Sequence, residues 1–565
     1  MQPGLAPEVF FVLLAALCGG LLVRLLKLQP IVGYILAGVV FGSIFPVYGG
    51  QIQKLAEIGA VLLLFSVGIE LSLSKLARVA KVAVIGAIIQ MAFISLLAYG
   101  LLSVLGLNPL TAFILAFGFS LSSTAVVVKI LTDKGEENTL HGEIMIGWLL
   151  VQDLAVIPMM VVLPAIASPG EGGVIGASIL ALGKAVAVVV GTLALGKLIV
   201  PFVIHKIAAI NSRELLVLSS LTLALGTAFL TSYFGVSPAL GAFLAGVVIS
   251  ESQENHAVFA ETRPLRDIFV ALFFVTLGFL VTPQTVIANI GIILVMATLV
   301  IVAKALAVFV LTVGLGYHGK TAIAVALGLS QIGEFAFVIF SLALALGLIE
   351  PTTATIGVAT TLLTLVATPF LFRSITPTWR KARDSFVKIS FLEKIVTGGD
   401  RRESPAVEYK EHIIICGYGR VGGWVGKALD SMSMPFVVVD YNQAVISDLR
   451  KKGIEAIYGD PTEKEVIEAA GVKNAKVVVL AIPDETSQEE IIAFVQNVNP
   501  SAKIISRVHK DEAWDKLKIL KVDKVIQPEF EAAISMIRTI LVSMGKTKED
   551  INERTKRIRL SHAMT

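Results

Sequence analysis

Between residue 7 and about residue 375 the sequence returns, with only short polar interruptions, to apolar stretches of membrane-spanning length. A bilayer offers no water to backbone N–H and C=O groups, so stretches of roughly twenty apolar residues have one stable outcome, the α-helix. This assigns the first part of the chain, residues 1–375, to a polytopic α-helical membrane domain. Residues 376–565 have the mixed, charged composition of a domain that folds in water.

Apolar segments near 7–26, 30–46, 55–72, 79–105, 110–131, 143–168, 175–204, 213–233, 236–250, 264–281, 285–316, 320–347 and 353–372 give about thirteen spans. Alternate loops carry Arg24/Lys27, Lys75/Arg78/Lys81, Lys129/Lys134, Lys206/Arg213, Arg263/Arg266, Lys320 and Arg373/Arg380, and Lys54 is the main exception between them. Cytoplasmic loops collect Lys and Arg, which places these loops and the C-terminal domain in the cytoplasm. An odd span count then leaves the N-terminus outside, in keeping with a start, MQPGLAPEVFFVLL, that lacks the basic region of a signal peptide. The net charge of +4 carries no nucleic-acid signal, and two cysteines, Cys18 and Cys416, exclude a disulfide framework.

The membrane region contains an internal echo. LAGVV occurs at 36–40 and again at 244–248, and the same offset of 208 carries Leu121-Ser122-Ser123 onto Leu329-Ser330-Gln331. The offset corresponds to seven spans, and an odd shift reverses direction through the bilayer, so the copies are expected to be inverted-topology repeats. Ser122, Ser123 and Thr124 in one span, and Ser330, Gln331, Gly333 and Glu334 in the other, are residues that can satisfy backbone groups freed by a helix break. Two broken helices at corresponding positions are therefore expected, with packing of small residues as the alternative.

Asp153, in VQDLAVIP, and Lys304, in LVIVAKALAVFVL, are ionisable groups at bilayer depth. Such groups cost several kcal/mol there and usually face a partner, a cavity or an ion path. A buried carboxylate can be tuned to carry either a proton or a cation, and Ser122, Ser123, Thr124 and Gln152 offer neutral oxygens beside it. One carboxylate carrying one proton or one monovalent cation would exchange them electroneutrally, and Gln152 stands where a second acid could have carried more protons. Lys304 is expected to pair with Asp153 or to release a proton when the cation enters, with a structural salt bridge as the alternative. Glu334 is read as structural.

Residues 376–409 read as a surface helix and linker that includes GGDRRESP, residues 410–545 as an α/β Rossmann-like domain, and 546–565 as a charged tail. EHIIICGYGRVGGWVGKALDSMSMPFVVVDYN gives strand, glycine turn, helix and strand. Gly417, Gly419 and Gly422 form a GxGxxG match, and Asp440 follows at the distance of a ribose-binding acid. Further strands near 456–460, 477–485, 503–509 and 524–528 complete a doubly wound parallel sheet, and Asp460 is a candidate for the adenosine half of the ligand. No hydride-transfer constellation stands beside them, so a sensor fits better than an enzyme.

Taken together, VGYILAGVVFG at 32–42, SLSSTAVV at 120–127, VQDLAVIP at 151–158, PLRDIFVALFFVTLGF at 264–279, LSQIGEFAFVIFS at 329–341 and GYGRVG at 417–422 resemble the monovalent cation:proton antiporter-2 family, and within it the Kef-type potassium/proton antiporters with a C-terminal KTN (RCK-like) domain. The resemblance implies a homodimer in the cell membrane, crossed broken helices, Asp153 as the shared K⁺ (or Na⁺) and H⁺ site, and a KTN domain that binds AMP or NAD(H). It also implies glutathione control, since Arg420 and Arg507 fall where the family places glutathione-contacting arginines, although the segment after Lys524 departs from the Kef pattern. Na⁺/H⁺ exchange, a nucleotide-gated K⁺ channel and a membrane-tethered NAD(P)-dependent oxidoreductase are the alternatives.

Overall fold

The computed structural model describes residues 5–25, 28–44, 50–70, 81–137, 139–167, 173–210, 212–234, 237–386, 409–508, 511–520 and 522–564. Lys27, Lys75, Arg78 and the GGDRRESP linker lie outside the described residues. The chain divides into two compact units. The first comprises Met1–Ile130, Glu143–Leu315 and Ala322–Ile375, and the second Leu131–Gly142, Gly316–Thr321 and Thr376–Thr565.

The first unit is helical. Seven helices among the described residues are long and apolar enough to cross a membrane, against the thirteen or so spans counted in the sequence. Five shorter apolar helices do not reach spanning length alone, among them Pro30–Ile44, Pro238–Ser250, Gly319–Gly328 and Phe335–Ala345. The segment expected to cross over 285–316 is divided into Pro283–Ala288 and Ile290–Gly314.

The sequence echo has a structural counterpart at the same offset. The helices that carry LAGVV begin at Pro30 and Pro238, and the helices that precede the two polar breaks end at Ser120 and Gly328. Each repeated glycine makes a close helix crossing. A methyl group on Gly38 would come within 2.9 Å of Gly278 Cα, and one on Gly246 within 2.9 Å of Gly68 Cα, so only glycine lets these backbones approach.

Both predicted breaks are present. The helix Pro109–Ser120 stops, Leu121–Ser123 is not helical, and Thr124–Lys134 resumes. Likewise Gly319–Gly328 is separated from Phe335–Ala345 by residues 329–334. Around them packs a core that includes Phe119, Phe274, Phe337 and Phe340.

In the second unit six parallel strands, β1 Ile413–Cys416, β2 Phe436–Asp440, β3 Ala456–Tyr458, β4 Val477–Leu480, β5 Lys503–Arg507 and β6 Lys524–Ile526, run in the order β3-β2-β1-β4-β5-β6. This is the doubly wound arrangement, with the ligand crevice at the carboxyl ends of β1 and β4 where the strand order reverses. Helices cover both faces, so the central strands are apolar throughout: Ile414, Ile415, Val437, Val438 and Val439 are buried. The charged C-terminal segment is helical over Lys548–Met564 and folds back on Pro528–Ser543, with Arg559 paired to Glu531.

Candidate ion site and nucleotide cleft

Breaking two helices frees N–H and C=O groups that must be satisfied without water. In the first unit the two breaks largely satisfy each other. Leu121 O accepts from Gly333 N at 3.1 Å, and Ser122 Oγ donates to Leu329 O at 2.8 Å. Gly333 permits this approach, since a Cβ there would lie 2.5 Å from the Ser122 carbonyl oxygen. Ile332 N donates to Thr364 Oγ1 at 3.0 Å. Gln152 Oε1 accepts from Ser122 N at 2.7 Å, its Nε2 donates to Gln90 Oε1 at 2.7 Å, and Gln90 Nε2 donates to Ser120 O at 3.2 Å.

Lys304 is fully buried, and its Nζ donates to Leu121 O at 2.5 Å and to Gln331 O at 2.7 Å. The expectation that Lys304 pairs with Asp153 is corrected here: the ammonium is directed to main-chain carbonyls where the first half-helices end. Helix C-termini carry about half a negative charge each, so a cation placed between two of them is stabilised with no carboxylate partner. Glu334 has the complementary position. It stands at the N-cap position of Phe335–Ala345, without a side-chain capping hydrogen bond, and its Oε1 accepts from Ala125 N at 3.4 Å, at the start of Thr124–Lys134. The positive ends of both second half-helices thus meet a carboxyl group.

Asp153 lies near the middle of Leu140–Ala167, is 7% exposed, and accepts from Thr124 Oγ1 at 2.8 Å. The geometry therefore brings Thr124 and Asp153 together, and it divides the other expected ligands. Gln152 does not offer its oxygen to a cation, because that atom is bonded to Ser122 N–H. The Ser330 hydroxyl turns back to Leu327 O at 3.0 Å, in the helix that precedes the break, and the Ser123 hydroxyl accepts from Val126 N at 3.3 Å as a cap. The Gln331 side chain is buried, and neither its nitrogen nor its oxygen meets a hydrogen-bond partner. Gln90 and Thr364 were missed in the sequence. Gln90 had a legible signal, a lone amide within GAIIQMAFISLL, whereas Thr364 is one of several threonines in an apolar helix.

The membrane family model for sodium/hydrogen exchangers matches residues 12–375, and the TrkA-N domain model matches 413–528. The chain belongs to the sodium/hydrogen exchanger family. It is 34% identical over 531 residues to the putative cation/proton antiporter YbaL of Escherichia coli K12, covering 92% of this chain and 94% of that one. It is also 30% identical over 543 residues to the glutathione-regulated potassium-efflux system protein KefC of Cronobacter sakazakii, covering 96% of this chain and 85% of that one. The structure of the sodium proton antiporter MjNhaP1 from Methanocaldococcus jannaschii matches 66% of this chain and 99% of that one, with 17% identity and a TM-score of 0.51, a likeness of fold. The exchanger is thus an integral membrane protein of the cation/proton antiporter class, and a transporter family, with a parallel-sheet TrkA-N domain at its C-terminus.

In the second unit of this exchanger a cleft of about 120 Å³ opens at the carboxyl end of the sheet, lined by Gly417, Gly419, Arg420, Asp440 and Arg507 among others. Gly417 turns the chain at φ +91°, and a Cβ on Gly422 would strike the Gly417 carbonyl, so both glycines are required by the turn. Gly419 stands at the N-cap of the helix Arg420–Ser431, and the N-terminus of a helix is a place where an anion can bind. Burial holds the Arg507 guanidinium below the ordinary arginine range, with Arg420 adding to that effect and Glu529 opposing it. Asp440 reaches the glycine turn itself: Oδ2 accepts from Tyr418 N at 2.6 Å and Oδ1 from Asn442 N at 2.8 Å.

Asp460 requires correction. It is completely buried, lies outside the residues that line the cleft, and faces Lys320 Nζ at 3.0 Å, with Oδ1 accepting from Thr462 N at 3.0 Å. Burial pushes this carboxyl up, but Lys320, the Thr462 N–H and His318 outweigh it and hold it below its ordinary value. A carboxylate so enclosed is committed to Lys320 and the Thr462 N–H and does not open onto the cleft.

Proposed function

We propose that this chain exchanges K⁺ for H⁺ by alternating access, electroneutrally, with Asp153 as the group that carries either ion. The observation that carries the reading is the Thr124–Asp153 pair at the break of two helices whose end charges are already matched by Lys304 and Glu334. On this reading Asp153, bonded to Thr124 Oγ1, is the acid that answers to a proton or a cation. Binding a cation requires the carboxylate, and protonation releases it, so one site serves both ions in turn. Thr124 supplies a neutral oxygen beside it, and the buried amide of Gln331 is a group that works with a water or an ion. K⁺ as the cation is supported by the similarity to the potassium-efflux protein KefC.

On this reading the protein is a homodimer in the cell membrane, with its N-terminus outside and its C-terminal domain in the cytoplasm. The TrkA-N domain binds AMP or NAD(H) with phosphates at Gly419, Arg420 and Arg507, and sets the exchange rate. Glutathione control, named for KefC, would engage the same two arginines. The test is proteoliposomes loaded with a pH dye. A K⁺-driven pH change insensitive to membrane potential is expected. A response to Na⁺ alone reassigns the cation, and ion flux without coupled proton movement makes the protein a channel.

A further inference from the structure

The second compact unit holds more than the sheet. Leu131–Gly142 and Gly316–Thr321, which connect membrane helices, belong to it. Gly135, Thr139 and Leu140 line the same cleft as the glycine turn, Arg420 and Arg507. The local chain there is fixed by its own hydrogen bonds: Thr139 Oγ1 donates to Glu136 O at 2.6 Å and accepts from Gly142 N at 3.2 Å, and Glu136 pairs with His141 at 3.3 Å. This connection joins the half-helix that starts at Thr124 to the helix that carries Asp153.

The second connection is held in the same unit. Lys320 Nζ meets Asp460 at 3.0 Å and donates to Ser487 Oγ at 3.0 Å. The buried His318 ring packs against Trp379, Tyr441 and Tyr458, with centroids 5.2, 6.2 and 6.2 Å away, and Tyr441 is itself a cleft residue. This connection joins the helix of Lys304 to the half-helix Gly319–Gly328 that ends at the second break.

We propose that Gly135, Thr139 and Leu140 form one wall of the nucleotide site, and that the Lys320–Asp460 pair anchors the second connection, so that a bound nucleotide biases both helix pairs of the ion site. The proposal rests on the reading of the cleft as a nucleotide site. A ligand shifts a conformational equilibrium only by its difference in affinity for the two states, and a ligand that touches Gly135, Thr139 and Leu140 has such a difference whenever that wall moves. Asp460 holds the lysine of a connection whose helix runs into the ion site.

The test uses the full chain, with AMP as the probe, by calorimetry and by exchange in proteoliposomes. Leu140→Ala is expected to weaken AMP binding by about fivefold or more, with Leu140→Met restoring it. Lys320→Met is expected to keep AMP affinity within about twofold of the parent while its exchange no longer responds to AMP. Should Leu140→Ala fail to fold, Leu140→Cys in a Cys18→Ser background is labelled with a maleimide, and AMP is expected to slow the labelling. Binding and labelling indifferent to residue 140 remove the wall, and a Lys320→Met protein that still responds removes the anchor. A parent protein that binds neither AMP nor NAD overturns the nucleotide reading and this proposal with it.

Discussion

Asp153 and Lys304 look alike in the sequence, single charges in apolar helices, yet the structure gives them different partners. Asp153 meets the Thr124 hydroxyl, whereas Lys304 meets two main-chain carbonyls, Gln331 O and Leu121 O, the second of which also accepts from Gly333 N. Asp153→Asn is expected to abolish cation-driven proton movement while the purified protein keeps its elution profile. Exchange at the parent rate would remove Asp153 from the mechanism. Lys304→Met takes the side-chain donor from Gln331 O, at about 1–3 kcal/mol, while Leu121 O keeps its bond from Gly333 N, so a lower melting temperature is expected. His318 makes a prediction about pH. Burial, opposed by Asp460 and reinforced by Lys320, lowers its pKa from 6.5 to about 4, and its neutral Nδ1 accepts from Lys320 N at 3.2 Å. The folded value lies below the unfolded one, so this stabilisation is complete above pH 6.5 and is lost as pH falls from 6.5 toward 4. The shift is worth about 3 kcal/mol. Melting of the parent across that window should show a slope that His318→Phe reduces.

The crossing of the broken helices is the element on which the ion site stands, and its parts are coupled. Ser122, Gln152, Gln90 and Ser120 form a closed path of side-chain and main-chain bonds around the first break. Gln90→Ala and Gln152→Ala should therefore combine non-additively in stability, with a coupling of about 0.5–3 kcal/mol in a double-mutant cycle. Additive losses would show that the two amides act separately. Gly333→Ala must push Ser122 away or distort the second break, and exchange is expected to fall about tenfold or more, measured in the same liposomes. The existence of both breaks was legible from polar residues in mid-span and from the offset of 208. Which polar residue faces which was not legible. Ser330 and Gln152 carry suitable oxygens, but the path of the chain around the break turns one back to Leu327 and the other to Ser122 N–H.

At the scale of the molecule, the proposed phosphate position in the TrkA-N domain can be closed at a residue outside the proposed ion site. An added Cβ at Gly419 meets no protein atom within 4 Å, so Gly419→Ala should fold as the parent does and weaken AMP only as far as its methyl crowds the phosphate, less than an aspartate does. Gly419→Asp places a negative charge at the helix N-terminus and should weaken AMP by about tenfold, with exchange in the absence of nucleotide retained. Equal binding by both variants would move the phosphate elsewhere. The sequence by itself determined the two kinds of unit, the membrane helices and their breaks, and the strand–turn–helix that makes the glycine cleft. Those follow from local rules: apolar length, residues that tolerate an interrupted helix, and a glycine turn with Gly417 at positive φ and Gly422 in close approach to it. Only the tertiary structure decided that Lys304 serves carbonyls, that Asp460 anchors Lys320, and that Gly135, Thr139 and Leu140 line the cleft. Each depends on residues far apart in the chain, and no periodicity or spacing records which of several chemically suitable partners the packed backbone brings within reach.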